Sequence, residues 1–134
     1  MFDKEELIKA AAAAVKKAYA PYSKFRVGAA ILADDGKIYT GVNVENRSYG
    51  LTSCAERNAI FYGISQGMKK IKAVAIYSPD SEEILSPCGA CRQVITEFSS
   101  PNTMIISSDK KFNTWETPVD VLYPQDSLHG LKKK

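Results

Sequence analysis

"FRVGAAILADDGKIYTGVNV", residues 25–44, is the stretch from which the architecture is read. Residues 25–33 are mostly apolar, the pattern of a strand covered on both faces. Asp35-Gly36 is a hairpin signal, because a tight turn between twisted strands needs residues that tolerate positive φ. Residues 37–44 then form a second strand, antiparallel to the first.

Upstream, the Ala-rich run from Lys4 to about Tyr19 carries Leu7, Ala11, Val15 and Ala18 on one face, so it predicts an amphipathic helix. Asp3 and Glu6 have capping-box spacing at its start, and Pro21 closes it. Downstream, the polar loop ENRSYGLTS (45–53) precedes a second helix from about Cys54 to Gly67. KAVAIYS (72–78) reads as a buried strand, Gly89 to Phe98 as a third helix, Met104 to Ser107 as a fourth strand and FNTW (112–115) as a candidate fifth. Only SDKK separates the last two, too short for a parallel crossover, so they must pair antiparallel. The order α-β-β-α-β-α-β-β predicts an α/β fold with one mixed sheet and helices packed on it.

Across 134 residues, hydrophobic residues make up 45% and charged residues 25%, an ordinary globular composition with enough apolar material for a core. One domain over residues 1–134 is expected, with 128–134 as a flexible tail. The net charge of +3 traces largely to Lys132, Lys133 and Lys134, so it reads as a solvated tail and not a nucleic-acid footprint. No apolar run approaches the ~18 residues that cross a bilayer, and the N-terminus is too charged for a signal peptide. Three cysteines is an odd count, which argues against a disulfide framework and for a reducing, cytoplasmic compartment.

Those cysteines fall at expected helix starts. Ser86-Pro87 resembles an N-cap followed by proline at the first helical position, which sets Cys88 and Cys91 on one face of the first turn. Cys54 follows Thr52-Ser53, two good N-cap residues. Helix N-termini favour thiolates. A lone CxxC is compatible with a redox pair, half a zinc finger, or packing alone. A structural zinc site takes four protein ligands, and the one histidine, His129, lies far away in the tail and reads as surface. Three protein ligands with an open position match a catalytic zinc site instead. In "SCAER", Glu56 can reach a metal's water and shuttle protons; it also fits a capping box with Ser53. Cys54-Ala55-Glu56 followed by Pro87-Cys88-Gly89-Ala90-Cys91 is the ligand-x-Glu…P-C-x-x-C arrangement of zinc deaminases.

"YAPYSKFRVGAAI" (19–31), "GVNVENRSYGLTSCAERNAI" (41–60) and "SPCGACRQVI" (86–95) together resemble the small homotetrameric cytidine deaminases. That resemblance implies a three-layer α/β/α sandwich with a mixed, about five-stranded sheet. It also implies one Zn²⁺ per subunit on Cys54, Cys88 and Cys91, with Glu56 as the catalytic acid and base. The implied activity is deamination of cytidine and deoxycytidine. Asn43 and Glu45 match the positions that bind ribose hydroxyls, Phe25 an aromatic near the nucleoside, and Ala55 a backbone contact to the pyrimidine edge. Tyr49 matches a residue that reaches a neighbouring subunit's site. Arg57 and Gln93 match residues beside the zinc thiolates. The chain departs from the family at Arg47, where a small residue is common. It departs again at its end, "VLYPQDSLHGLKKK" (121–134), which has no aromatic after Tyr123 to pack on the base.

Three other readings stand beside this one. A deaminase of blasticidin S shares "SPCGACRQV" and "GVNV", while "VEN" and "CAER" favour the ribonucleoside enzyme. A polynucleotide-editing deaminase would show a basic, aromatic-rich stretch, which is absent. Glu56 and the missing fourth ligand argue against a non-catalytic zinc or interaction module.

Overall fold

The computed structural model describes residues 2–132. Five strands form one sheet: β1 (Gly28–Ala33), β2 (Ile38–Val42), β3 (Ile71–Tyr77), β4 (Ser99–Ser108) and β5 (Thr114–Pro118), in spatial order β2-β1-β3-β4-β5. Neighbours pair antiparallel except β3 and β4, which are parallel. The expected hairpin is present, with Gly36 at φ 87° in its turn. All six residues of β1 are buried, as a strand with helices over both faces requires.

Side-chain alternation along β1 divides the core. Ala30 and Leu32 face helix α1 (Lys4–Ala14), where Leu7, Ile8 and Ala11 pack on them and on Ala73, Ala75 and Ile106. Ala29, Ile31 and Ala33 face the opposite layer, with Ala59 and Ile60 of α2 (Ala55–Ser65), Ile95 of α3 (Gly89–Phe98) and Val119 of the short α4 (Val119–Leu122). The three-layer sandwich follows. Two glycines let helices lie directly on strands. A Cβ on Gly28 would meet the Ala11 carbonyl oxygen at 2.1 Å, and one on Gly41 would meet the Ala59 nitrogen at 2.4 Å.

Several boundaries differ from expectation. Helix α1 gives way to a single tight turn at Val15–Lys17, well before Pro21, and Ala18 is only partly buried. Asp3 caps it by accepting from the Glu5 and Glu6 nitrogens at 3.0 and 3.1 Å. β4 starts five residues earlier than expected, and β5 begins after Phe112, which sits at φ 67° inside the turn. Of the residues expected as a tail, His129–Leu131 form a turn and the Lys132 ammonium donates to the Ser99 carbonyl at 2.6 Å. Residues 133 and 134 of that expectation lie outside the described residues.

Candidate active site and metal centre

Two helix starts meet at the site. Cys54 is itself the N-cap of α2, and Cys88 that of α3, both with extended backbone. This corrects the expected caps. Ser53 cannot begin α2, because its N–H and carbonyl pair with Val44 at 3.0 Å in each direction. The Ser53–Glu56 capping box is therefore not formed, and Glu56 is free for other work. Likewise, Pro87 precedes the α3 cap instead of opening the helix. Neither cysteine side chain caps its helix, so both sulfurs project from the positive helix ends.

Cys91, two residues into α3, completes the group. The three Sγ atoms lie within 4.8 Å of one another, the one such cluster among the described residues. Cys54 and Cys88 sulfurs are 3.8 Å apart. Two thiolates on tetrahedral zinc at ~2.3 Å bond length stand about 3.8 Å apart, so the spacing fits the metal. The Arg57 guanidinium donates to the Cys54 sulfur at 3.2 Å, and its Nε is buried with no partner among the described residues. A partly buried cation there suits a cluster of thiolates. The Cys54 thiol is lowered to about 5, chiefly by the hydrogen bond from Cys91 and then by Arg57. Cys91 is raised by the same hydrogen bond and by burial.

Beside the sulfurs opens a cavity of about 300 Å³. Glu56, in the first turn of α2, is only 5% exposed and lines it. Burial, reinforced by the Cys54 charge, pushes its carboxyl up to about 7. Near neutral pH such a group exchanges protons readily in either direction.

Phe25, Asn43, Glu45 and Ala55 line the same cavity, together with Ser23, Thr52, Leu85 and Ser86. Buried Asn43 accepts from the Val27 N–H at 2.9 Å and donates to the Phe25 carbonyl at 2.7 Å. Glu45 accepts from the Tyr22 and Ser23 nitrogens at 3.0 and 3.1 Å and from the Ser23 hydroxyl. Of Ser23, Thr52, Leu85 and Ser86, the sequence marks Thr52 and Ser86 only as cap residues, and Ser23 and Leu85 not at all.

Two expected residues, Tyr49 and Gln93, are not part of this cavity lining. Tyr49, expected to reach a neighbouring subunit's site, does not line its own cavity: it is 73% exposed, its ring 5.8 Å from that of Tyr22. Gln93 is not on a cysteine; its amide accepts from the Tyr123 hydroxyl at 2.7 Å and donates to Asp126 at 3.3 Å. That network binds α3 to the segment after α4. His129 and Arg47 are exposed and away from the cavity lining.

A family model of the cytidine and deoxycytidylate deaminase zinc-binding region matches residues 1–107. A cytidine deaminase of Sporosarcina psychrophila is 48% identical over 122 residues, 91% of this chain and 89% of the relative. A blasticidin-S deaminase of Bacillus cereus is 33% identical over 109 residues, 76% of each. The crystal structure of a Burkholderia pseudomallei cytidine deaminase superposes with a TM-score of 0.87 at 41% identity, covering 92% of this chain and 98% of that one. A Mycobacterium leprae cytidine deaminase gives 0.82 at 39%, covering 93% and 100%. With the three-cysteine cluster already placed at two helix starts, these matches show that the chain belongs to the cytidine and deoxycytidylate deaminase family.

Proposed function

We propose that this chain is a zinc-dependent cytidine deaminase that hydrolyses cytidine and deoxycytidine to uridine and deoxyuridine, releasing ammonia. The observation that carries the reading is the placement of Glu56: buried, poised near neutrality, and sharing a nucleoside-sized cavity with the sulfur cluster.

Cys54, Cys88 and Cys91 would hold zinc, which supplies an acidified water as nucleophile. Arg57 and the two helix N-termini offset the negative charge of three thiolates. Glu56 accepts a proton from the attacking water and delivers it to N3 of the pyrimidine, while the oxygen adds to C4. Glu56 then takes the proton of the new C4 hydroxyl and passes it to the amino nitrogen; the C4–N bond breaks and ammonia leaves. One carboxylate serves as base and acid in turn. The Ala55 backbone faces the pyrimidine edge, and Phe25 forms a wall of the pocket. Asn43, its amide largely engaged with the Phe25–Val27 backbone, keeps one N–H and one lone pair for the sugar. Of the roughly four acceptor sites on the Glu45 carboxylate, three are occupied, leaving one for a ribose hydroxyl.

A homotetramer with shared sites accompanies this reading. Tyr19, Tyr22, Val44, Tyr49 and Leu51 are exposed near the pocket, and Phe61, Tyr62 and Ile64 are exposed on α2. So much apolar surface marks contact between copies, with Tyr49 closing a neighbour's pocket. Residence in the cytosol is supported by three unpaired cysteines, and no described helix is long and apolar enough to cross a membrane.

The test is ammonia release from cytidine, deoxycytidine, cytosine and blasticidin S, with Glu56→Gln beside the wild type. Cytidine and deoxycytidine should be turned over. The Gln variant should keep its zinc and lose activity by roughly 10²–10⁴-fold. A Gln variant with a tenth or more of wild-type turnover refutes the proton-shuttle role, and preference for blasticidin S refutes the substrate.

A further inference from the structure

Residues 23–27 run between α1 and β1 outside any strand, yet side chains grip their backbone in succession. The Phe25 N–H donates to the Ser23 hydroxyl at 3.0 Å, the Phe25 carbonyl accepts from Asn43 at 2.7 Å, and the Arg26 N–H donates to Asp80 at 2.9 Å. The Val27 N–H donates to Asn43 at 2.9 Å. Lys24, inside this segment, takes φ 62°, a left-handed conformation that residues with a Cβ adopt only when their surroundings impose it.

Ser23 holds a particular place in this arrangement. Its hydroxyl donates to a Glu45 carboxylate oxygen while accepting from the Phe25 N–H, and its own N–H donates to the other Glu45 oxygen at 3.1 Å. Phe25, Glu45 and Ser23 all line the cavity. Ser23 is thus a single side chain bonded both to the backbone of the wall aromatic and to the carboxylate that faces the sugar. The same hydroxyl is the chief reason the Glu45 carboxyl lies below the usual carboxylate range, which keeps it a pure acceptor.

We infer that Ser23 is a positioning residue for sugar recognition: its hydroxyl fixes the rotation of the Glu45 carboxylate so that the remaining acceptor site meets the ribose diol, and it ties that orientation to the position of Phe25. The inference rests on the reading of Glu45 as the diol acceptor. A carboxylate anchored only through one oxygen by backbone N–H groups turns about its last bond; an added bond to the second oxygen stops that rotation.

Discrimination between cytidine and 2′,3′-dideoxycytidine, which has the base but no diol, reads this out. The ratio of kcat/KM values is measured for zinc-loaded wild type, Ser23→Ala, Ser23→Thr and Glu45→Gln. Ser23→Ala should lower the ratio roughly ten-fold, chiefly through KM for cytidine, since misplacing a contact group by under an ångström has effects of that order. Ser23→Thr, which keeps the hydroxyl, should restore most of it. Glu45→Gln should lower the ratio at least as far. Equal losses on both substrates in Ser23→Ala, with Glu45→Gln still lowering the ratio, overturn the inference and leave the Glu45 reading standing. A ratio unchanged in Glu45→Gln removes that reading and the inference with it. Should Ser23→Ala fail to fold, Ser23→Cys, of similar size but a weak donor, is read by the same ratio.

Discussion

Gly41→Ala adds one methyl group beneath the helix that carries half the site. Gly41 pairs with Ala29 in the sheet, and α2 lies flat against it. The new Cβ would stand 2.4 Å from the Ala59 nitrogen, 2.7 Å from the Ala55 carbonyl oxygen and 2.8 Å from the Ala59 Cα. All three are backbone atoms, so no rotamer change relieves the overlap. Ordinary contact needs about 3.5 Å, so α2 must retreat by about 1 Å. Overpacking of this kind costs about 1–3 kcal/mol. At roughly 4 °C per kcal/mol for a chain of this size, Tm should fall by about 4–12 °C. Catalysis should suffer more, because α2 begins at Cys54 and carries Glu56 in its first turn. A displacement of about 1 Å between reacting groups lowers kcat/KM by roughly 10². Scanning calorimetry, zinc content and cytidine turnover measure the three quantities. Gly50→Ala is the calorimetric control, since no atom lies within 4 Å of a Cβ there. A Gly41→Ala protein melting within 1 °C of wild type with undiminished kcat/KM refutes the close approach of α2 to β2.

Cys88→Ala should abolish zinc binding and lower Tm, because the ligand set and two helix starts form one unit; full zinc by metal analysis contradicts it. Asp80→Asn tests the ion pair behind Phe25. Arg26 holds the Asp80 carboxyl down at about 2, against an ordinary 3.8, through a bidentate contact and the Arg26 N–H. With half of the Arg26 side chain exposed, solvent screens the pair, and the loss should be small. A depressed carboxyl stabilises above its unfolded pKa and loses that contribution as pH falls through the folded one. The Tm difference between wild type and Asp80→Asn should thus be constant from pH 5 to 8 and shrink from about pH 4 to 2; a difference that grows as pH falls contradicts it. Light scattering of the zinc-loaded protein should give four times the chain mass, and a fully active monomer refutes shared sites.

The layer order was legible because β1 is a continuous apolar run and Asp35-Gly36 admits few conformations other than a hairpin turn. The sulfur cluster was legible only once Cys54-Ala55-Glu56 and Pro87-Cys88-Gly89-Ala90-Cys91 were read together. The helix caps were not. Ser53 and Glu56 satisfy a local capping pattern, and only the pairing of Ser53 with Val44, nine residues away, removes it. The partners of Gln93 were not legible for a similar reason: Tyr123 and Asp126 lie thirty or more residues along the chain. Pro101 hid the first half of β4, since proline argues against a strand interior; it is tolerated near the strand's start, next to the register shift opposite Ile71 and Ala73. Local patterns thus found elements and ligands, whereas long-range hydrogen bonds decided which side chains were already engaged.

Cys54 and Cys88 are 34 residues apart, and the whole of β3 lies between them. In the folded chain β3 lies between β1 and β4, and the β3–β4 pairing is parallel and non-local. Pairing of that sort is slow to form, because the chain must close a long loop before any contact rewards it. If that pairing limits folding, the cluster is a clasp engaged afterwards, not a nucleus that drives it. Interactions absent from a transition state leave the folding rate alone and slow the reverse process. Metal at these three sulfurs acts chiefly on the lifetime of the folded chain, so chelation shortens how long the enzyme lasts far more than it hinders its formation.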